Sequence, residues 1–156
     1  MIYLAADHRG YELKEKIKSW LSEWGKDFTD CGNTKHDEND DYPDFMAIAA
    51  AKVAEDPVNN RGIILGGTGQ GEAMVANRRK GVRAVVFYGE PLEVVRLGRL
   101  HNAANVLSIG AAPGNTIAEG RPMDDELAKA AVKLFLETDF IEEPRHTRRL
   151  AKFDPQ

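Results

Sequence analysis

Short apolar runs alternate along this chain with longer stretches whose apolar positions recur every three or four residues. Ile2-Tyr3-Leu4-Ala5-Ala6 is a short continuous run, which predicts a buried strand. Glu12–Trp24 then places Leu13, Ile17 and Leu21 four residues apart, with Trp20 and Trp24 beside them, which predicts a helix closed by Gly25. Lys26–Asp30 reads as a weak second strand, and the polar, acidic stretch Cys31–Asp41 as a loop. Asp41-Tyr42-Pro43-Asp44 carries a capping residue and a first-turn proline, so a helix is expected to start there and run to Glu55. Further strands are expected over Gly62–Leu65, Val82–Tyr88 and Asn105–Ile109. Helices are expected over Gly71–Arg79, Glu90–Leu100 and Asp124–Glu137, with a loop over Ala112–Pro122 and a basic helical tail over Glu143–Phe153.

Strand–helix alternation implies parallel strands joined by crossover helices. Five such units give an α/β fold: a three-layer, Rossmann-like domain with a five-stranded parallel sheet, spanning residues 1–156. Its ligands are expected beyond the carboxyl ends of the strands.

The composition narrows the function classes. Apolar residues make up 42% and charged residues 29% of the 156, which excludes a disordered chain. The 25 acidic residues outnumber the 21 basic ones, so general attraction to a nucleic-acid backbone is not expected. The first apolar run ends at Asp7-His8-Arg9, too early for a signal peptide, and no stretch approaches the ~20 apolar residues of a membrane helix. Cys31 is the single cysteine and cannot form an internal disulfide. A cytoplasmic protein without membrane or nucleic-acid partners is the expectation.

Four candidate sites fall at strand ends or in the tail: Asp7-His8, the turn Gly66-Gly67-Thr68-Gly69-Gln70-Gly71 with Glu72, His101-Asn102, and Arg145-His146-Thr147-Arg148-Arg149. The turn is the most informative. Four glycines in six residues let the backbone approach a ligand and point several N–H groups inward, and a helix N-terminus follows. Such a nest suits a phosphate or the oxyanion of an enediolate, or it is a tight turn with no ligand. Glu72 and Met74 break the dinucleotide-binding glycine spacing, and no phosphate-loop lysine follows. Glu72 is either a helix-dipole partner or a general base beside an oxyanion nest. A histidine suits proton shuttling, and arginines suit a bidentate clamp on phosphate. The acidic run Asp37–Asp41 lacks the ligand spacing of an EF-hand and is expected to be solvated; Arg78, Arg79, Lys80 and Arg83 are expected to be surface charges; Cys31 is expected to be unreactive.

Together the four sites resemble the ribose-5-phosphate isomerase B and galactose-6-phosphate isomerase family, in order and over nearly the whole chain. Asp7-His8-Arg9-Gly10-Tyr11-Glu12-Leu13-Lys14 is similar to that family's D-H-x-G-[FY]-x-L-K, and Asp41-Tyr42-Pro43 to its D-Y-P. Gly67-Thr68-Gly69-Gln70-Gly71 with Ala76-Asn77 resembles G-[TS]-G-x-G followed by A-A-N. His101-Asn102 with Ala104-Asn105-Val106-Leu107 resembles H-N-x-x-N-V-L, and Arg145-His146 with Arg149 resembles R-H-x-x-R.

The resemblance implies aldose–ketose isomerisation of a phosphorylated sugar through an enediolate, with ribose 5-phosphate and ribulose 5-phosphate as the expected pair and no cofactor or metal. It implies a homodimer with active sites at the subunit interface, a tetramer being equally compatible. His101 would open the sugar ring, helped by Asp7 or Thr68. The amides of Gly67 to Gly71 would hold the oxyanion, and Asn102 the sugar hydroxyls. His8, Arg145 and Arg149 would hold the phosphate; Tyr42 and Gln70 join the substrate-binding set. Many members carry a cysteine base at the position of Gly66, whereas another branch has glycine there and a glutamate after the turn. Glu72 places this chain with the second branch. The family's arginine after strand five is replaced by Ala112, with Arg121 a candidate substitute, and Glu143-Pro144 stands where two glycines are common. These departures leave another tetrose, pentose or hexose phosphate open as substrate. A non-catalytic sugar-phosphate- or nucleotide-binding regulator is the rival from another class.

Overall fold

A computed structural model describes residues 1–89, 91–111 and 122–154. Five strands, β1 (Ile2–Ala6), β2 (Phe28–Asp30), β3 (Arg61–Gly66), β4 (Ala84–Phe87) and β5 (Val106–Gly110), form one sheet in the order β2-β1-β3-β5-β4, every pair parallel. Among the described residues, six helices connect or follow them: α1 (Tyr11–Glu23), α2 (Tyr42–Glu55), α3 (Gln70–Ala76), α4 (Glu93–Asn102), α5 (Asp125–Glu137) and α6 (Pro144–Leu150).

The period-two alternation of the strands sorts the core into two layers. Ile2, Leu4, Ile63, Leu65, Leu107 and Ile109 face one way and pack with Leu13, Ile17 and Leu21 of α1, Val95 of α4 and Phe135 of α5. Ala5, Ile64 and Val106 face the other way, toward Met46, Ala49 and Val53 of α2 and Ala76 of α3. The expected three-layer architecture follows from that partition. Among the described residues no helix is long and apolar enough to cross a membrane.

Two local expectations need correction. Asp41 flanks α2 in an extended conformation but makes no side-chain cap, so the proline at the first turn marks that helix start. Gly10 flanks α1, and the Asp7 carboxylate holds the turn before it. Arg83 is half-buried rather than a surface charge, because its guanidinium folds back onto the carbonyls of Gly81, Asn102 and Ala103. Ala112 and Arg121 lie outside the described residues, so the exchange suggested between them has no structural description.

Candidate active site

The strand order reverses between β1 and β3, the crevice position that open α/β sheets use for ligands. Asp7-His8 leaves the carboxyl end of β1, and the glycine turn leaves that of β3. Gly69 has φ +76°, a conformation that a side chain would strain, and a Cβ there would press on the backbone of Ile109 and Gly110. Ser108, buried in β5, donates its hydroxyl to the Gly69 carbonyl at 2.6 Å and pins the turn to the sheet. Thr68 Oγ1 accepts the Gln70 N–H at 3.3 Å. Among the described residues, the backbone N–H groups of Gly67 and Thr68 donate to no protein acceptor. Tyr42, from α2, brings its hydroxyl against Gly71.

Glu72 sits in the first turn of α3 and is only 4% exposed. Its carboxyl lies over Gly66, in the space a side chain at that position would take. Oε2 is buried and has no hydrogen-bond partner. Burial pushes this carboxyl above the ordinary glutamate range; the Asp7 charge adds to the rise, while the N–H groups of Glu72 itself and of Gly69 oppose it. A desolvated carboxylate with one oxygen unpartnered, beside free backbone donors, has the makings of a general base.

Asp7 is also buried, with Oδ1 accepting the N–H groups of Arg9 and Gly10 at 2.9 and 3.0 Å. Burial raises its pKa against those two hydrogen bonds. His8 Nδ1 lies 2.7 Å from Asp40 Oδ1, and Asn33 Nδ2 donates to Asp40 Oδ2 at 2.8 Å. Asn33 is held in turn by Lys14, a fully buried lysine whose Nζ bonds the Asn33 carbonyl at 2.6 Å and both oxygens of Asp30 at 2.7 Å. Asp7, His8 and Asp40 offer ligand atoms within 4.8 Å of one another, a set chemically able to hold a cation. Both Asp40 oxygens and Asp7 Oδ1 are already committed to protein donors. Asp40 is a residue that sequence reasoning missed: the acidic loop was expected to be wholly solvated, yet its last but one carboxylate crosses the crevice to His8. Cys31 has its thiol pushed up by burial first and by Asp30 second, in keeping with low reactivity.

The remaining candidates are elsewhere. His101 and Asn102 are the last residues of α4, beside the starting end of β5 rather than in a turn of their own. Arg145 and Arg149 lie on α6, exposed. Buried His146 joins the two helices: its ring stacks on that of His101 at 4.6 Å between centroids, and its Nδ1 lies 3.1 Å from the His101 carbonyl. Arg145 Nε donates to His146 Nε2 at 3.1 Å, which leaves the His146 proton on Nδ1 for that carbonyl. This half of the set gathers at the opposite end of the strands, about 16 Å from the glycine turn by strand length. Within one chain the sequence-predicted residues therefore form two groups: Asp7, His8, Tyr42, Gly67–Gly71 and Glu72 in the crevice, and His101, Asn102, Arg145 and Arg149 below it.

A ribose/galactose isomerase family model matches residues 2–153. Ribose-5-phosphate isomerase B of Mycolicibacterium paratuberculosis is 38% identical over 149 residues, covering 96% of this chain and 86% of the relative. The Mycobacterium leprae protein of the same name is 39% identical over 156 residues, covering 98% and 89%. Among solved structures, ribose-5-phosphate isomerase B of Mycoplasma genitalium with bound ribulose-5-phosphate superposes with a TM-score of 0.84 at 36% identity, covering 97% of this chain and 91% of that one.

Proposed function

This chain belongs to the ribose/galactose isomerase family, and from that premise we propose that it interconverts ribose 5-phosphate and ribulose 5-phosphate with Glu72 as the proton carrier. The observation that carries the assignment of the base is the buried, unpartnered Oε2 of Glu72 beside the free N–H groups of Gly67 and Thr68. Glu72 takes the proton from C2 of the open-chain aldose. Negative charge develops on the former carbonyl oxygen at C1, where the turn's N–H groups stabilise it. A proton moves from the C2 hydroxyl to O1, and Glu72 returns its proton to C1, leaving the ketose. His8, oriented by Asp40, meets the phosphate with its outward nitrogen.

His101, Asn102, Arg145 and Arg149 join the same reaction from a second copy of the chain, because their own chain holds them at the far end of the strands. Ring opening then falls to the partner's His101, and the tail arginines complete the phosphate grip. No cofactor or metal is invoked. The direct test is proton exchange by NMR in D₂O with ribose 5-phosphate and with four- and six-carbon aldose phosphates. Deuterium at C2 of the aldose or C1 of the ketose, abolished by Glu72→Gln, supports this reading and identifies the sugar. Phosphate-ester binding with no exchange on any sugar favours the non-catalytic regulator.

A further inference from the structure

A cavity of about 510 Å³ opens at the starting end of the strands, away from the glycine turn. Three arginines line it: Arg61, the first residue of β3, Arg83, just before β4, and Arg99 of α4. Each is fixed by backbone carbonyls. Arg61 Nη1 donates to the carbonyls of Val58 and Asn60, both at 2.8 Å. Arg83 Nε donates to those of Asn102 and Ala103 at 3.1 and 3.0 Å, and its Nη1 to that of Gly81 at 3.1 Å. Arg99 Nε donates to the Thr138 carbonyl at 3.0 Å and its Nη1 to that of Ala104 at 2.6 Å. These bonds leave Nη2 of all three without a protein partner among the described residues. No described carboxylate pairs with any of the three within 4.0 Å.

The recess sets three positive charges against two negative ones, those of Asp139 and Glu142, and so keeps a net positive charge. Burial pulls all three guanidinium groups down. Arg99 falls to about 10 through burial first, then through Arg61, with Arg83 adding and Asp139 opposing. Capping a carbonyl asks for one guanidinium; it does not ask for three converging on a common space. Planar forks with spare N–H groups match the oxygens of a phosphate better than a spherical anion. Asp139 and Glu142 line the same cavity, and a carboxylate is a hydrogen-bond acceptor for hydroxyl groups.

We propose that this cavity is a second anion site, separate from the Glu72 crevice, which takes the phosphate monoester of a small hydroxylated metabolite. The three Nη2 groups hold the phosphate and the two carboxylates receive its hydroxyls.

The test uses ¹⁵N-labelled full-length chain titrated with inorganic phosphate, against chloride at equal ionic strength. The Nε–H resonances of Arg83 and Arg99 are expected to shift with phosphate and not with chloride. Arg61→Gln is expected to weaken that response about tenfold or more, the loss expected for charge-assisted hydrogen bonds. Val58→Glu sets a carboxylate on the cavity wall at a residue 74% exposed, so it tests the same point without disturbing the core. Arg145→Gln, in the proposed phosphate grip, is expected to leave the response unchanged. Glycerol 3-phosphate is expected to bind more tightly than phosphate, the gain vanishing in Asp139→Asn. Unmoved Arg83 and Arg99 resonances, an equal response to chloride, or shifts that survive both Arg61→Gln and Val58→Glu would overturn the site. A glycerol 3-phosphate affinity no better than that of phosphate would overturn its hydroxyl half.

Discussion

Gly66 and Glu72 compete for one volume: a Cβ on Gly66 would overlap Oε1 and Cδ of the Glu72 side chain. The absence of a side chain at 66 is what lets a carboxyl reach back over the end of β3. Gly66→Ala is therefore expected to leave the fold intact, displace the carboxyl and lower kcat by about 10²-fold, the effect of a displaced catalytic group. Gly66→Cys combined with Glu72→Ala is expected to recover part of that loss, because the thiol occupies the vacated space. Steady-state kinetics on the two variants and on Glu72→Ala alone decide the matter.

Glu72→Gln keeps the shape and removes the proposed base. Its kcat is expected to fall about 10²–10⁴-fold with KM little changed, the contribution of a positioned general base. The substitution is also expected to raise stability at neutral pH. Between the ordinary glutamate value of 4.5 and its raised folded value, the folded chain keeps a proton that the unfolded chain has lost. Stability therefore falls as pH rises through that window. The Gln variant, which has nothing to ionise, should melt above the parent at about pH 8 and lose that advantage toward about pH 4. Thermal melts at several pH values check the sign, and the acidic limb of kcat/KM should lie above 4.5.

Asp40 acts through His8. Its pKa is held below the usual aspartate range, because the His8 and Asn33 hydrogen bonds outweigh burial, the largest opposing influence. Asp40→Asn is expected to raise KM for a sugar phosphate about tenfold, the loss of one charge-assisted hydrogen bond, with kcat nearly unchanged. Kinetics with the phosphorylated sugar, alongside the ¹⁵N signature of the His8 ring, separate positioning from a merely structural role: the ring signature must change with KM.

Two groups at opposite ends of the strands predict complementation. Glu72→Gln and His101→Ala are each expected to be nearly inactive alone. Mixed, unfolded together and refolded, they should regain about a quarter of the parent activity, because half of randomly paired dimers hold one intact site out of two. An activity no higher than the sum of the two separate variants would remove the second copy from the site.

Lys14 is a structural dependency. Its buried ammonium bonds Asp30 and the Asn33 carbonyl; replacing it by Met takes one ion-pair partner from Asp30, which keeps Lys18, and leaves that carbonyl without its donor. Lys14→Met is expected to lower stability by about 1.5–3 kcal/mol, the loss of charge-assisted hydrogen bonds. Denaturant unfolding measures it.

Most of the architecture was legible because strand and helix periods differ and each buried face is apolar. The motif residues were legible as chemistry but not as geometry. His101 looked like a strand-end residue, yet it closes α4, and only the sheet order shows that this places it far from Glu72. Asp40 was hidden in an acidic loop whose partner lies 32 residues away, a pairing that no local pattern announces. Arg83 was hidden for a similar reason: its role depends on where α4 ends, which is a property of the packed chain.

The bond from Ser108 to the Gly69 carbonyl joins the glycine turn to β5, a strand paired on both sides. A turn anchored in this way has no hinge of its own. The amides of Gly67 and Thr68 carry no protein hydrogen bond that an opening must break, so their exchange does not wait for the sheet, unlike that of the β5 amides beneath. The N–H groups proposed to meet a developing oxyanion are thus fixed to the sheet through Ser108 while staying free for a ligand.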